Sequence, residues 1–175
     1  MTEEDERVPE LVVPRASVVD SFVRWTIRHG DDAHPDYDRA AGERAQADPE
    51  GFVETLVLDV RERAPRPAGW VPSTHLWWIE GREYLGRLQV RHRLDDFLRD
   101  EGGHIGYYVV PEHRRRGHAS AMFGAALPVT FALGIDCALV TCENDNTGSR
   151  RVIERHGGLL RDDRHGTLRY WVPTY

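Results

Sequence analysis

The stretch that most constrains the fold is Ile105-Gly106-Tyr107-Tyr108-Val109-Val110-Pro111-Glu112-His113-Arg114-Arg115-Arg116-Gly117-His118-Ala119. Apolar and β-branched residues over 105–110 predict a strand, Pro111 stops it, and a polar turn follows. Gly117 then opens a helix over 117–133, rich in small apolar residues, with Gly134 suited to its C-terminal cap. A helix N-terminus presents unpaired main-chain N–H groups and a partial positive charge, which suits a phosphate. Gly117 and Ala119 leave that main chain open to close approach. On composition alone the same residues also describe a solvated surface turn with an arginine run. Two other phosphate loops are excluded, since neither GxxxxGK[ST] nor GxGxxG occurs.

The pattern on either side places this unit in an α/β domain. Residues 1–9 are acidic and short of apolar mass and read as a disordered N-terminal tail, with the domain spanning 10–175. Leu11-Val12-Val13 predicts a first strand. An imperfect helical stripe over 17–29 precedes a polar 30–49 segment that reads as a loop with a broken helix. Pro49-Glu50 opens a better helix. Strands at 75–79 and 84–90 form a hairpin around Glu80-Gly81-Arg82-Glu83, and 94–103 is a polar excursion ending in glycines. After the 117–133 helix, where Pro128 predicts a kink or an early end, come a strand centred on Ala138-Leu139-Val140, a short helix over 149–155, and a closing hairpin. Strands, then strand–helix–strand–helix, then strands: the order predicts a mixed sheet.

Composition narrows the partners. The net charge of -6 argues against nucleic acid and suits a neutral or cationic substrate. All basic side chains are arginine, as a GC-rich coding bias would produce. No run approaches the roughly 20 apolar residues of a membrane span. The acidic N-terminus has no apolar core, so a secretory signal is not expected and a cytoplasmic protein is. Cys137 and Cys142 lie five apart on one strand, hence on opposite faces, and are expected to stay unpaired. The nine histidines have no HExxH spacing, and no metal site is expected.

Arg114-Arg115-Arg116-Gly117-His118-Ala119 matches [QR]-x-x-G-x-[GA], and it is followed by Asn144-Asp145-Asn146-Thr147-Gly148-Ser149 and Val152-Ile153-Glu154-Arg155-His156-Gly157. In this order the chain resembles the GNAT N-acetyltransferase superfamily over about residues 75–172, in a branch of bacterial acetyltransferases. The resemblance implies a single-domain GNAT-like fold, with a mixed, mostly antiparallel sheet flanked by helices. It implies acetyl-CoA as co-substrate and an acetyl transfer to a primary amine by direct attack in a ternary complex. The alternative is a non-catalytic acyl-CoA-binding or sensing module. The partners implied are a small-molecule or peptide amine and, as a homodimer, a second copy of the chain.

The resemblance also implies roles. Main-chain groups of Tyr108, Val109 and Val110 would pair with the pantetheine arm as an added strand. The pyrophosphate would lie on the 114–120 loop, Arg114, Arg115, Arg116, Gly117, His118, Ala119 and Ser120, chiefly on its amides. Asn144, Asn146 and Ser149 would lie near the cofactor, with a helix N-cap as the other reading of Asn146. Val109 N–H would be the oxyanion donor. An alkylamine is only about one part in a thousand neutral near pH 7, so a base helps. The position that can hold a carboxylate in the family is His104 here; Glu101, Glu83 and Glu80 are reserves. The family's tyrosine acid is replaced by Ile153, leaving Ser149, Tyr107 or water.

Overall fold

The computed structural model describes residues 8–29 and 37–175. The 1–9 tail therefore lies, but for its last two residues, outside the described residues. The chain runs β1 (Glu10–Val12), α1 (Val19–His29), α2 (Arg39–Ala47), α3 (Pro49–Leu58), β2 (Ser73–Glu80), β3 (Glu83–Arg91), β4 (Ile105–Val109), α4 (His118–Ala132), β5 (Cys137–Glu143), α5 (Thr147–Arg155), β6 (Leu159–Arg164) and β7 (Thr167–Pro173). It forms two sheets, ordered β1-β2-β3-β4 and β5-β7-β6, in which every described pairing is antiparallel. The single sheet expected from the pattern is thus divided between β4 and β5.

Alternation along the strands sends side chains to two cores. Leu76, Trp78, Leu88, Val90, Ile105 and Val109 pack under α4 and α5. Trp77, Ile79, Tyr84 and Val110 pack under α1, α2 and α3. Phe22 of α1 anchors the second core, stacking on Trp77 at 5.2 Å and Phe52 at 5.3 Å, with Tyr84 edge-on at 5.3 Å. Trp77 and Trp78, adjacent on β2, fall on opposite faces, one in each core. Cys137 is exposed and Cys142 buried, both free, on opposite faces of β5 as expected.

Two elements differ from the sequence reading. The 30–49 segment contains a regular helix, α2, capped by Asp38, whose carboxylate accepts from Ala41 N–H at 2.8 Å. It packs through small residues: a Cβ on Gly42 would lie 2.2 Å from Thr26 Oγ1 of α1. Pro128, expected to kink the 117–133 helix or end it early, does not shorten it: the helix runs on to Ala132. Gly134 (φ +81°) follows it as expected. No described helix is long and apolar enough to cross a membrane.

Candidate active site

The division between the sheets creates the site. At the start of β4, His104 N–H donates to Leu139 O of β5 at 2.6 Å, and Leu139 N–H donates to His104 Nδ1 at 2.9 Å. Gly103 makes this approach possible: at φ +63° a Cβ there would lie 2.5 Å from Leu139 O. Beyond that point β4 and β5 share no ladder among the described residues, and a wedge opens between them.

Which main-chain groups face the wedge follows from the ladder. Val110 N–H donates to Leu85 O at 3.0 Å and Arg91 N–H to His104 O at 2.7 Å. In an antiparallel pair alternate residues face the partner, so Gly106, Tyr108 and Val110 turn their main chain to β3. Tyr107 and Val109 turn theirs to the open side. Tyr108 and Val110, expected as main-chain partners of the cofactor, therefore pair their main chain with β3, and Tyr107 is the neighbour of Val109 that faces the open side. Val109 keeps an outward N–H, but its carbonyl accepts from Arg114 Nε at 2.8 Å. Arg114 also lies over the Tyr108 ring, 5.1 Å from its centroid, so it closes the end of β4.

A cavity of about 480 Å³ fills the wedge, lined by Tyr107, Val109, Gly117, Ser120, Asn146 and Ser149 among others. Its floor is the loop and first turn of α4. Arg114 N–H donates to Pro111 O and Ala121 N–H to Gly117 O, but the six N–H groups from Arg115 to Ser120 have no partner among the described residues. Arg115 (φ +62°) and Gly117 (φ +86°) are both left-handed, which curls these donors inward. A Cβ on Gly117 would meet nothing within 4 Å, so the glycine serves conformation and an open approach.

The wall opposite is α5. Asn146 caps it, Oδ1 accepting from Ser149 N–H at 3.0 Å, as the helix N-cap reading expects, and it also lines the cavity. Ser149 Oγ lies 2.6 Å from Tyr107 Oη. Burial raises the Tyr107 phenol to about 12, with the Ser149 hydrogen bond opposing. Ile153 is fully buried under α4 and cannot act. His118 also lines the cavity; its Nδ1 accepts from Trp78 Nε1 at 3.1 Å, and burial and His113 lower its pKa.

Other expected residues are elsewhere. His104 does not line the cavity, its Nδ1 is taken by Leu139, and burial with Arg91 and Arg99 lowers its pKa to about 4. It is a latch between strands and a poor base. Glu101 is exposed on the π-helical turn Leu98–Gly102, where its carbonyl accepts from Thr141. Glu83 is held by Trp25 Nε1 and Arg24, and Glu80 is exposed. Asn144 is exposed beside Gly166, off the cavity. Among the described residues no three potential metal ligands converge. One tie was missed by sequence reasoning: His156 Nε2 lies 3.1 Å from Ser120 Oγ and 2.9 Å from Ser120 O, pinning α5 to the cradle. Its signal is Gly124, where a Cβ would lie 2.8 Å from the imidazole.

A wedge between two strands, a curl of free amides and an outward β4 carry the order of elements that the motifs announced. The family model described as "Acetyltransferase (GNAT) family" matches residues 24–158. The chain belongs to the GNAT acetyltransferase family. No curated protein sequence matches it. Solved structures share this GNAT fold. RimJ from Mycobacterium smegmatis, in complex with CoA-disulfide, is 18% identical, with a TM-score of 0.68 over 95% of this chain and 82% of that one. The microcin C7 self-immunity acetyltransferase MccE, with acetyl-CoA and AMP, is 13% identical, with a TM-score of 0.64 over 97% and 93%. RimL, the ribosomal L7/L12 α-N-protein acetyltransferase, with coenzyme A, is 16% identical, with a TM-score of 0.64 over 94% and 93%.

Proposed function

We propose that this GNAT protein transfers an acetyl group from acetyl-CoA to a primary amine within a ternary complex. The observation that carries the proposal is the run of six N–H groups, Arg115 to Ser120, without a partner among the described residues, five of whose residues line the wedge cavity. They fit a pyrophosphate: the donors are main chain, they lie at a helix N-terminus, and Gly117 leaves room. The outward main chain of Tyr107 and Val109 suits a pantetheine arm laid along β4.

Acetyl-CoA, when bound, supplies an activated thioester carbonyl. Val109 N–H is the donor for the oxygen on which negative charge develops. Tyr107 Oη, held by Ser149, donates a hydrogen bond to the departing sulfur, where the family's tyrosine acid is replaced by Ile153. His104 and the three glutamates are not positioned to take the amine's proton, so it leaves to water at the cavity mouth. The acceptor class is an amine on a small molecule or a peptide; RimL acts on a protein N-terminus, while MccE is a self-immunity enzyme.

Calorimetry with acetyl-CoA, followed by thiol release over an amine panel, tests the proposal. Saturable binding that Gly117→Trp abolishes, together with thiol release, is expected. Binding without thiol release on any amine would favour a sensing module, and binding that survives Gly117→Trp would mean the cradle is misassigned.

A further inference from the structure

A second cavity, of about 270 Å³, lies near the opposite end of β3 from the Gly86–Val109 pairing, lined by Trp70, Gln89, Arg91, Asp95, Phe97 and Leu98 among others. It is a mixed site: one guanidinium, one carboxylate, one amide and apolar walls. Its size is at the lower edge of small-ligand pockets.

Among the described residues, the buried arginines near it differ from others in how their charge is met. Arg169 is 4% exposed and is bound by Asp162 and Asp100. Arg66, also largely buried, is bound by Asp59. Arg87 and Arg91, four residues apart and on the same side of β3, have no carboxylate within ion-pair distance among the described residues. Arg87 is 7% exposed, its Nε has no partner, and it lies 4.2 Å over the Tyr37 ring. Arg91 Nη1 is satisfied by the carbonyls of Gly102 and Gly103, at 2.8 and 3.2 Å, and Asp95 acts on its charge from across the cavity without a contact ion pair. Burial and the field of Arg87 lower the Arg91 pKa to about 10, with Asp95 opposing. Buried charge of this kind is costly unless it meets an anion. Gln89 is 2% exposed and its Oε1 also has no partner. Asp95 faces the same cavity, with Oδ1 accepting from Leu98 N–H at 2.8 Å and no cation within ion-pair distance among the described residues.

We propose that this cavity binds a small amino acid-like zwitterion with an apolar side chain. The ligand's carboxylate meets Arg91, its ammonium meets Asp95 and Gln89 Oε1, and its side chain covers Trp70, Phe97 and Leu98. Phe97 is an exposed aromatic residue at the cavity, and a ligand there would cover apolar surface that is now in water. The site is distinct from the wedge: Arg91 pairs across the ladder with His104, whereas Val109 sits beside Gly86, five residues along β3.

Thermal shift with each of the twenty L-amino acids, with calorimetry on those that respond, tests this without acetyl-CoA. At least one apolar amino acid should raise the melting temperature and bind one to one. Its decarboxylated amine and its deaminated acid should each bind about ten- to a hundred-fold more weakly, as expected for losing a hydrogen bond to a charged group. Asp95→Asn keeps an oxygen to cap Leu98 and should weaken the amino acid similarly while sparing the deaminated acid. Ala68→Trp, at the exposed edge of the cavity, should block all three ligands while acetyl-CoA still binds the wedge. No response from any amino acid, or equal binding by Asp95→Asn and Ala68→Trp, would overturn the assignment. Neither result bears on acetyl-CoA binding, which is measured separately on the same samples.

Discussion

Replacing Tyr107 by Phe asks whether the phenol has taken over from the family's tyrosine. The Tyr107 pKa of about 12 against about 8.5 for a free thiol leaves a gap of about 3.5, or about 5 kcal/mol, against complete proton transfer to the sulfur. The phenol is therefore a donor to the developing thiolate and does not hand over its proton. A hydrogen bond to a charged group is worth about 1.5–3 kcal/mol. Tyr107→Phe should then lower kcat about ten- to a hundred-fold. Fold and cofactor binding should survive, because the ring still packs edge-on to Phe123 at 5.5 Å. The assay is steady-state thiol release, with calorimetry to confirm unchanged acetyl-CoA affinity. Activity within twofold of the parent would remove Tyr107 from the reaction. A loss beyond a thousand-fold would refute the argument that it donates without transferring, since only a true general acid carries that much. The raised pKa also keeps the phenol protonated through neutrality, so the variant's defect should be the same at pH 6 and pH 9.

Other outcomes follow from single contacts. Asn146→Ala removes the cap on Ser149 N–H, and should cost about 1 kcal/mol in urea unfolding while lowering acetyl-CoA affinity. His104 has a folded pKa of about 4 against an ordinary 6.5, so its neutral form stabilises the native state above about 6.5 and that contribution fades as pH falls towards 4. His104→Asn, which retains an acceptor for Leu139 N–H, should flatten the loss of stability over this range; an unchanged acid limb in urea titrations would contradict the latch. The same variant should leave the pH dependence of kcat/KM unaltered near neutrality. Phe22→Ala should destabilise by about 3–5 kcal/mol by opening a cavity against Trp77, Phe52 and Tyr84, measurable as a lower denaturation midpoint.

What could be read from the chain depended on how local its cause was. The strand–turn–helix around Gly117 is written in consecutive residues: a β-branched run, a proline, a left-handed glycine and small helix formers. The α2 helix was obscured because it buries Ala41, Gly42 and Ala45, which carry no apolar period in an Ala- and Arg-rich segment. Its packing rests on the fit of Gly42 to Thr26, a contact 16 residues apart in sequence. Strand parity was beyond reach for a different reason. Whether Tyr107 or Tyr108 turns its main chain to the wedge depends on the register of β3 with β4, and a slip of one residue reverses the answer. His104 looked like a base because a histidine's usual pKa suits one; only its burial, with the charges of Arg91 and Arg99, moves it to about 4.

Ile153 carries the argument one step further. A residue in α5 reaches the wedge only if it points towards β4, and Ile153 instead points under α4, where it is 0% exposed. Gly158 follows from that packing: a Cβ there would lie 2.5 Å from Ile153 Cγ2 and 2.8 Å from Ile153 O. The inner face of α5 is thus fitted to an aliphatic side chain and the turn after it is closed by glycine, so a tyrosine at 153 would need both to give way. The hydroxyl that reaches the cavity comes from the opposite wall, on β4, and α5 contributes Ser149 to hold it at 2.6 Å. The Tyr107 Cα and the Val109 N–H, the proposed oxyanion donor, are carried by the same β3–β4 ladder, while the tip of the phenol is set by its hydrogen bond to Ser149 of α5.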